Sequence, residues 1–203
     1  PKPLVRVGNL PIIWHVLRIL ECQGVNEFII ALGFGGEAIK NYFLQLNEYF
    51  NNQRDNCVGS VLTLQGTLVN TLKVHLVDTG LQTMTGGRLL RVSKLLDKSE
   101  PFLMTYADGV ADINVHSLLA FHEKHDCLAT VTAVRPPERF GRLELDGERV
   151  VRFSEKKMQS DEWVNGGFFV LQPEVLGRIS NENTSWEQKP LETLSREGQL
   201  VAY

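Results

Sequence analysis

Two short stretches hold the residue types from which a phosphate-handling site can be built. The first is Thr79-Gly-Leu-Gln-Thr-Met-Thr-Gly-Gly-Arg88, which gathers hydroxyls, glycines and an arginine directly before a helical pattern. Backbone N–H groups near a helix start can hydrogen-bond a nucleotide or a phosphate. Thr83 and Gly86 lie inside this stretch, and the planar fork of Arg88 could neutralise phosphate oxygens. A flexible surface loop would have the same composition. The second is Pro101-Phe-Leu-Met-Thr-Tyr-Ala-Asp-Gly109, an apolar run that turns abruptly into a carboxylate and a glycine. In open α/β sheets ligands bind outside the carboxyl ends of the strands. Asp108 at such an end could hold a divalent cation, and Gly109 would let the backbone come close to a ligand. Asp-Gly is equally ordinary turn chemistry.

Other candidates are more scattered. Lys2 sits between Pro1 and Pro3, where the backbone is stiff; it could bind pyrophosphate or simply be a solvated terminal lysine. Glu155 and Lys156 pair an acceptor with a cation, as a sugar phosphate requires, or form a polar strand end. Asn165-Gly166-Gly167 offers an amide and room for a ring, or a bulge at paired glycines. His122 and His125 have no convincing further ligands and read as exposed surface. There is no Walker A motif, no GxGxxG and no nucleophile elbow.

The elements that must position these residues follow from periodicity. Pro11 to Gly24 has helical spacing of apolar residues, and Glu27 to Leu32 is a buried strand. A helix follows at about 37–50, then a polar stretch 51–56 with the composition of an insertion. Val61 to Gln65 and Lys73 to Val77 are strands that can pair as an excursion from the main sheet. Leu89 to Leu96 forms a short helix, and Phe102 to Thr105 a strand covered on both faces. His116 to His125 is helical, Leu128 to Val134 a β-branched strand, and Arg142 to Phe153 a hairpin across Asp146-Gly147. Another strand lies within 163–171. Pro173 starts a short helix, and Ser185 is expected to cap a last one, Trp186 to Arg196. This order predicts one α/β domain over residues 1–203, doubly wound and mainly parallel, with a small antiparallel part.

The chain has 203 residues, enough for one full core, with 43% hydrophobic and 22% charged residues. Its formal net charge of −3 gives no reason to expect nucleic acid or an anionic membrane as partner. No apolar run is long enough to span a bilayer. Cys22, Cys57 and Cys127 are widely spaced and read as reduced, small buried hydrophobes of a cytoplasmic protein. Both ends read as cuts within a longer chain.

Taken in order, several segments resemble one family. They are Pro1-Lys-Pro3, Gly8-Asn-Leu-Pro-Ile-Ile-Trp-His15, Asp78 to Arg88, Tyr106-Ala-Asp-Gly109, Thr130 to Pro137, Phe140-Gly141, Glu155-Lys156, Trp163 to Phe169 and Trp186-Glu187. The chain resembles the glucose-1-phosphate cytidylyltransferases of the sugar nucleotidyltransferase superfamily, essentially from end to end. The resemblance implies CTP and glucose 1-phosphate as substrates, CDP-glucose and pyrophosphate as products, and Mg²⁺ as cofactor. It implies a homo-oligomer for the full-length protein and a role in supplying deoxysugars for surface polysaccharide. It assigns Lys2, Arg88 and Asp108 to catalysis, with Asp108 on the metal. It assigns Thr83, Gly86, Arg88 and Ala107 to the nucleotide, and Gly141, Glu155, Lys156 and Asn165 to the sugar phosphate. Ala107 stands where the family usually has Gly, and Lys157 where it often has Pro. The family's first strand and glycine-rich loop are expected before Pro1, and a second metal aspartate after Tyr203. In the family's strand order that first strand lies between Phe28–Leu32 and Phe102–Thr105, so without it those two strands either collapse together or, as expected here, stand apart by about two strand spacings, ~9–10 Å. A catalytically inactive nucleotide-sugar binder, or a thymidylyl- or uridylyltransferase, is the alternative reading.

Overall fold

The computed structural model describes residues 1–51, 57–58, 61–66, 69–135, 142–154 and 163–203. A 3-10 turn at Lys2–Leu4 leads into a minimal hairpin, β1 (Arg6–Val7) and β2 (Leu10–Pro11), and then α1 (Ile12–Glu21). Ile13, Trp14, Val16, Leu17 and Leu20 form the buried stripe of α1, at the spacing one helix face requires. β3 (Glu27–Leu32) and α2 (Gly36–Asn51) follow, then β4 (Cys57–Val58), β5 (Val61–Gly66), β6 (Val69–Asp78) and α3 (Thr85–Val92). The second half runs β7 (Phe102–Met104), α4 (Val115–His125), β8 (Ala129–Val134), β9 (Arg142–Asp146), β10 (Arg149–Ser154), β11 (Val164–Leu171), α5 (Lys189–Arg196) and β12 (Leu200–Ala202).

The fold is α/β, with two four-stranded mixed sheets and the separate β9–β10 hairpin. The first sheet has the order β4-β5-β6-β3, in which β3 is parallel to β6 and the other pairs are antiparallel. The second has the order β7-β11-β8-β12, in which β12 is parallel to β8 while β11 runs against both its neighbours. The expected mixed, Rossmann-like α/β architecture is present, with a larger share of antiparallel pairs than parallel ones. The hairpin return of β5 and the insertion of β11 between β7 and β8 supply the antiparallel ladders. Residues on β11 alternate between two cores: Phe168 and Val170 join the one built on α1, β3, β5 and β6, Phe169 and Leu171 the one around Trp186 and Leu194. A strand covered on both faces is what a layered α/β fold demands.

β3 and β7 are terminal strands of their sheets, and no ladder joins them among the described residues. Between them lies a slot of about 670 Å³, walled by Phe28, Ile30, Phe102 and Met104 and floored in part by Leu17 and Leu20 of α1. The two strands thus line one cavity without pairing across it among the described residues.

Several expectations shift. α3 starts at Thr85, so Gly86, Gly87 and Arg88 belong to its first turn and not to a loop before it. α5 starts at Lys189 and not Trp186, because the Ser185 hydroxyl bonds Glu187 (2.8 Å) and caps nothing. Cys22 is exposed and Cys127 half-buried, against the expectation of buried thiols. His122 is buried, 1% exposed, and not on the surface: Thr130 (2.9 Å) and Gln172 (3.0 Å) satisfy its ring nitrogens. Residues 52–56 of the expected insertion lie outside the described residues.

Candidate functional site

The site grows from the carboxyl ends of β3 and β6. Thr79, just past β6, ties the two strands together: its N–H (2.8 Å) and its hydroxyl (2.6 Å) both donate to the Leu32 carbonyl. Arg88 reaches back from the first turn of α3 and donates to the Thr79 hydroxyl (2.6 Å) and to the Leu32 carbonyl (3.1 Å). Its guanidinium lies directly against Gly33, where any Cβ would collide with it. Burial and the neighbouring Arg91 pull the Arg88 pKa below the ordinary arginine value, and Asp78 pulls the other way. Arginine stays charged under such shifts. No carboxylate forms an ion pair with Arg88 among the described residues, so its positive charge is available to an anion.

The start of α3 is fixed from outside. Met84 N–H donates to the Glu182 carbonyl (2.9 Å) and Gly87 N–H to the Thr184 carbonyl (3.2 Å). A Cβ on Gly86 would stand 2.7 Å from the Thr184 carbonyl oxygen, and one on Gly87 would run into the Glu182 backbone. The glycine pair thus has a packing reason in this structure: it lets the 182–184 backbone lie against the helix. Thr83 is buried beside Gly80, its hydroxyl 3.0 Å from where a Gly80 Cβ would stand. Arg91 braces the same corner, donating to the Thr79 carbonyl (2.9 Å) and pairing with Glu182.

Across the slot, β7 delivers Tyr106, Ala107 and Asp108. Arg88 and Ala107 both line the slot, which brings the two stretches singled out in the sequence to one cavity. Asp108 follows Ala107, is exposed, and has no hydrogen-bond or ion-pair partner among the described residues. Pro1 packs against Gly35, 3.0 Å from where its Cβ would stand, so the turn bearing the exposed Lys2 lies beside the segment that leaves β3. On β11, Asn165 donates to the Tyr106 hydroxyl (3.4 Å) and accepts from Gly167 N–H (2.8 Å). Gly141, Glu155 and Lys156 lie outside the described residues.

Sequence reasoning missed a hydrogen-bonded group between the two halves. The Tyr106 hydroxyl donates to Glu187 (2.7 Å), and the Thr85 hydroxyl donates to the other oxygen of the same carboxylate (2.6 Å). Desolvation pushes the Glu187 carboxyl up, but hydrogen bonds from Thr85, Tyr106, its own backbone N–H and Ser185 outweigh it and hold it below the ordinary value. Tyr106 is raised, first by burial and then by Glu187. Trp186-Glu187 enters the family resemblance, but no local pattern gives Glu187 a role, since its partners Tyr106 and Thr85 are 81 and 102 residues distant in the chain.

An arginine with no carboxylate partner and an exposed aspartate with none, both among the described residues at the carboxyl ends of α/β strands, suit a nucleotide-handling enzyme. Residues 1–197 match the profile of the family described as Nucleotidyl transferase. The chain belongs to that family. It is 41% identical to the glucose-1-phosphate cytidylyltransferase of Salmonella typhi over 203 residues, all of this chain and 79% of that protein. It is 40% identical to the probable glucose-1-phosphate cytidylyltransferase of Bacillus subtilis, with the same coverage. Among solved structures, HddC from Yersinia pseudotuberculosis superposes with a TM-score of 0.69 at 21% identity, over 100% of this chain and 80% of that one. A UDP-glucose pyrophosphorylase complexed with UDP-glucose superposes at 0.64 and 16%, over 100% and 81%. This nucleotidyl transferase family member shares their Rossmann-like fold. No helix among its described residues is long and apolar enough to cross a membrane.

Proposed function

We propose that this chain carries the transfer of a cytidylyl group from CTP to α-D-glucose 1-phosphate, releasing pyrophosphate and CDP-glucose. A phosphate oxygen of the sugar phosphate attacks the α-phosphorus of CTP in line. The bond from that phosphorus to the oxygen bridging to the β-phosphorus breaks, and pyrophosphate leaves. Such a reaction needs positioning and charge neutralisation from the protein more than covalent chemistry. The observation that carries the reading is Arg88, held uncompensated by a carboxylate on the same slot that Ala107 lines, one residue before the free Asp108.

In this reading Arg88 and Lys2 neutralise phosphate charge, and Thr83 and Gly86 shape the nucleotide side. Ala107 lies against the nucleotide. Gly141, Glu155, Lys156 and Asn165 bind the sugar phosphate. Asp108 fits a Mg²⁺ shared with substrate phosphates: that ion commonly takes only one or two carboxylates and keeps waters and phosphates for the rest. Bound there, the ion supplies charge neutralisation at the phosphates. The full-length protein is expected to be a homo-oligomer.

The test is pyrophosphate release by the full-length protein with glucose 1-phosphate and each of CTP, UTP, dTTP and GTP. CDP-glucose formation with a clear preference for CTP, abolished by EDTA and restored by Mg²⁺, is the expected result. In the same assay Lys156→Ala should require far more glucose 1-phosphate while its need for CTP stays near normal. Preference for another nucleotide, or binding without turnover, would overturn the reading.

A further inference from the structure

Glu187 accepts three side-chain hydrogen bonds from two sides of the site. One oxygen takes the hydroxyls of Thr85 (2.6 Å) and Ser185 (2.8 Å), the other that of Tyr106 (2.7 Å). A carboxylate only accepts, so it sets the direction of every proton that meets it. The Thr85 hydroxyl, having donated to Glu187, accepts from Trp186 N–H (2.9 Å). That bond anchors the first turn of α3, three residues before Arg88. The Tyr106 hydroxyl, having donated to Glu187, accepts from the Asn165 amide (3.4 Å). The Asn165 oxygen accepts from Gly167 N–H (2.8 Å), so the amide has one orientation, and its second N–H has no partner among the described residues.

The ring of Tyr106 is itself confined. A Cβ on Gly167 would stand 2.8 Å from it, and Phe169 meets it edge-on with centroids 6.3 Å apart. The hydroxyl therefore has little freedom to seek another acceptor. Nothing comparable crosses the slot at the level of β3 and β7, whose edges do not pair among the described residues.

We propose that Glu187 is a positioning residue which holds the nucleotide-side start of α3 and the sugar-side Asn165 in one fixed relation, acting through Thr85 and Tyr106. This deepens the cytidylyl-transfer reading and rests on it. Replacing the carboxylate by an amide keeps the shape but turns one acceptor into a donor. Either Thr85 or Tyr106 then loses its partner, and Asn165 loses its fixed orientation when the Tyr106 proton has to point elsewhere.

The experiment uses the full-length protein with Glu187→Gln, Tyr106→Phe and the double variant, and measures KM for both substrates beside the melting midpoint. Tyr106→Phe should raise KM for glucose 1-phosphate about five- to tenfold, the scale of one lost hydrogen bond, and leave KM for CTP near wild type. Glu187→Gln should raise it by a similar factor, and the double variant should be no worse than the worse single one, because the residues act in series. With the tyrosine ring carbons labelled in both proteins, the Tyr106 phenol should titrate at lower pH in Glu187→Gln than in wild type. Unchanged KM values, fully additive effects, or an unmoved phenol would each overturn the proposal while leaving the catalytic reading standing. A wild type that makes no nucleotide sugar would instead overturn the catalytic reading, and this proposal with it.

Discussion

Arg88 is an unusual arginine because the fold, and not a carboxylate, holds it. Its hydrogen bonds run to a carbonyl and a hydroxyl, and its plane rests on the one residue that has no side chain to displace it, Gly33. Arg88→Lys keeps the charge but loses the fork, so kcat/KM for the nucleotide should fall about a hundredfold, the scale of one transition-state donor. Gly33→Ala should produce a comparable loss without touching Arg88; steady-state kinetics of both variants check the pair. His122 makes a second residue-scale prediction. Gln172 donates to its Nε2, so Nδ1 carries the proton toward Thr130, and burial lowers its pKa from the ordinary value of 6.5. The sign is that of a base kept neutral. Between the folded pKa and 6.5 the unfolded chain binds the extra proton, so stability falls as pH drops through that window. The slope is up to about 1.4 kcal/mol per pH unit for one group. Melting midpoints at about pH 7.5 and 5.5 should diverge in wild type and converge in His122→Gln. Arg88 and Asp108 were legible in the sequence because each sits at a change of pattern beside an element end. His122 was misread as surface, because a helix face shows its spacing but not what packs on it.

At the scale of elements, the first turn of α3 is a conflict between intrinsic preference and packing. Two glycines open a helix, which costs about 1 kcal/mol each relative to alanine. The 182–184 backbone occupies the space their side chains would take. Gly87→Ala should therefore destabilise, because overpacking against a backbone that cannot rotate away costs about 1–3 kcal/mol and outweighs the helical gain. Gly177→Ala is the control: nothing stands within 4 Å of its Cβ, and it should be neutral or slightly stabilising. Denaturation midpoints of the two variants test this directly. Strands and helices with strong periodicity, such as α1, β3, β8 and the β9–β10 hairpin, were readable in place. The starts of α3 and α5 were not, since tertiary hydrogen bonds from 182–187 decide where each begins.

For the whole molecule, the slot between β3 and β7 governs how the halves relate. Its walls are apolar strands whose facing edges have no ladder partner among the described residues. The outward-facing amides of β3 and β7 should exchange with solvent faster than those of β6 and β11. A longer polypeptide that supplies an extended segment to the slot should slow them and raise the melting midpoint. Hydrogen exchange that is equally slow on both sets in this chain alone would show that the edges are already satisfied. The gap could be anticipated from the sequence only through the borrowed strand order; nothing in residues 28–32 or 102–104 announces which neighbour each strand lacks. Open edges also have a consequence outside the single molecule. Strand edges with no ladder partner among the described residues, flanked by Phe28 and Phe102, form a template for any extended chain that reaches them. A partly unfolded second copy of the protein is one such chain, so the tendency of this protein to self-associate should rise with its concentration.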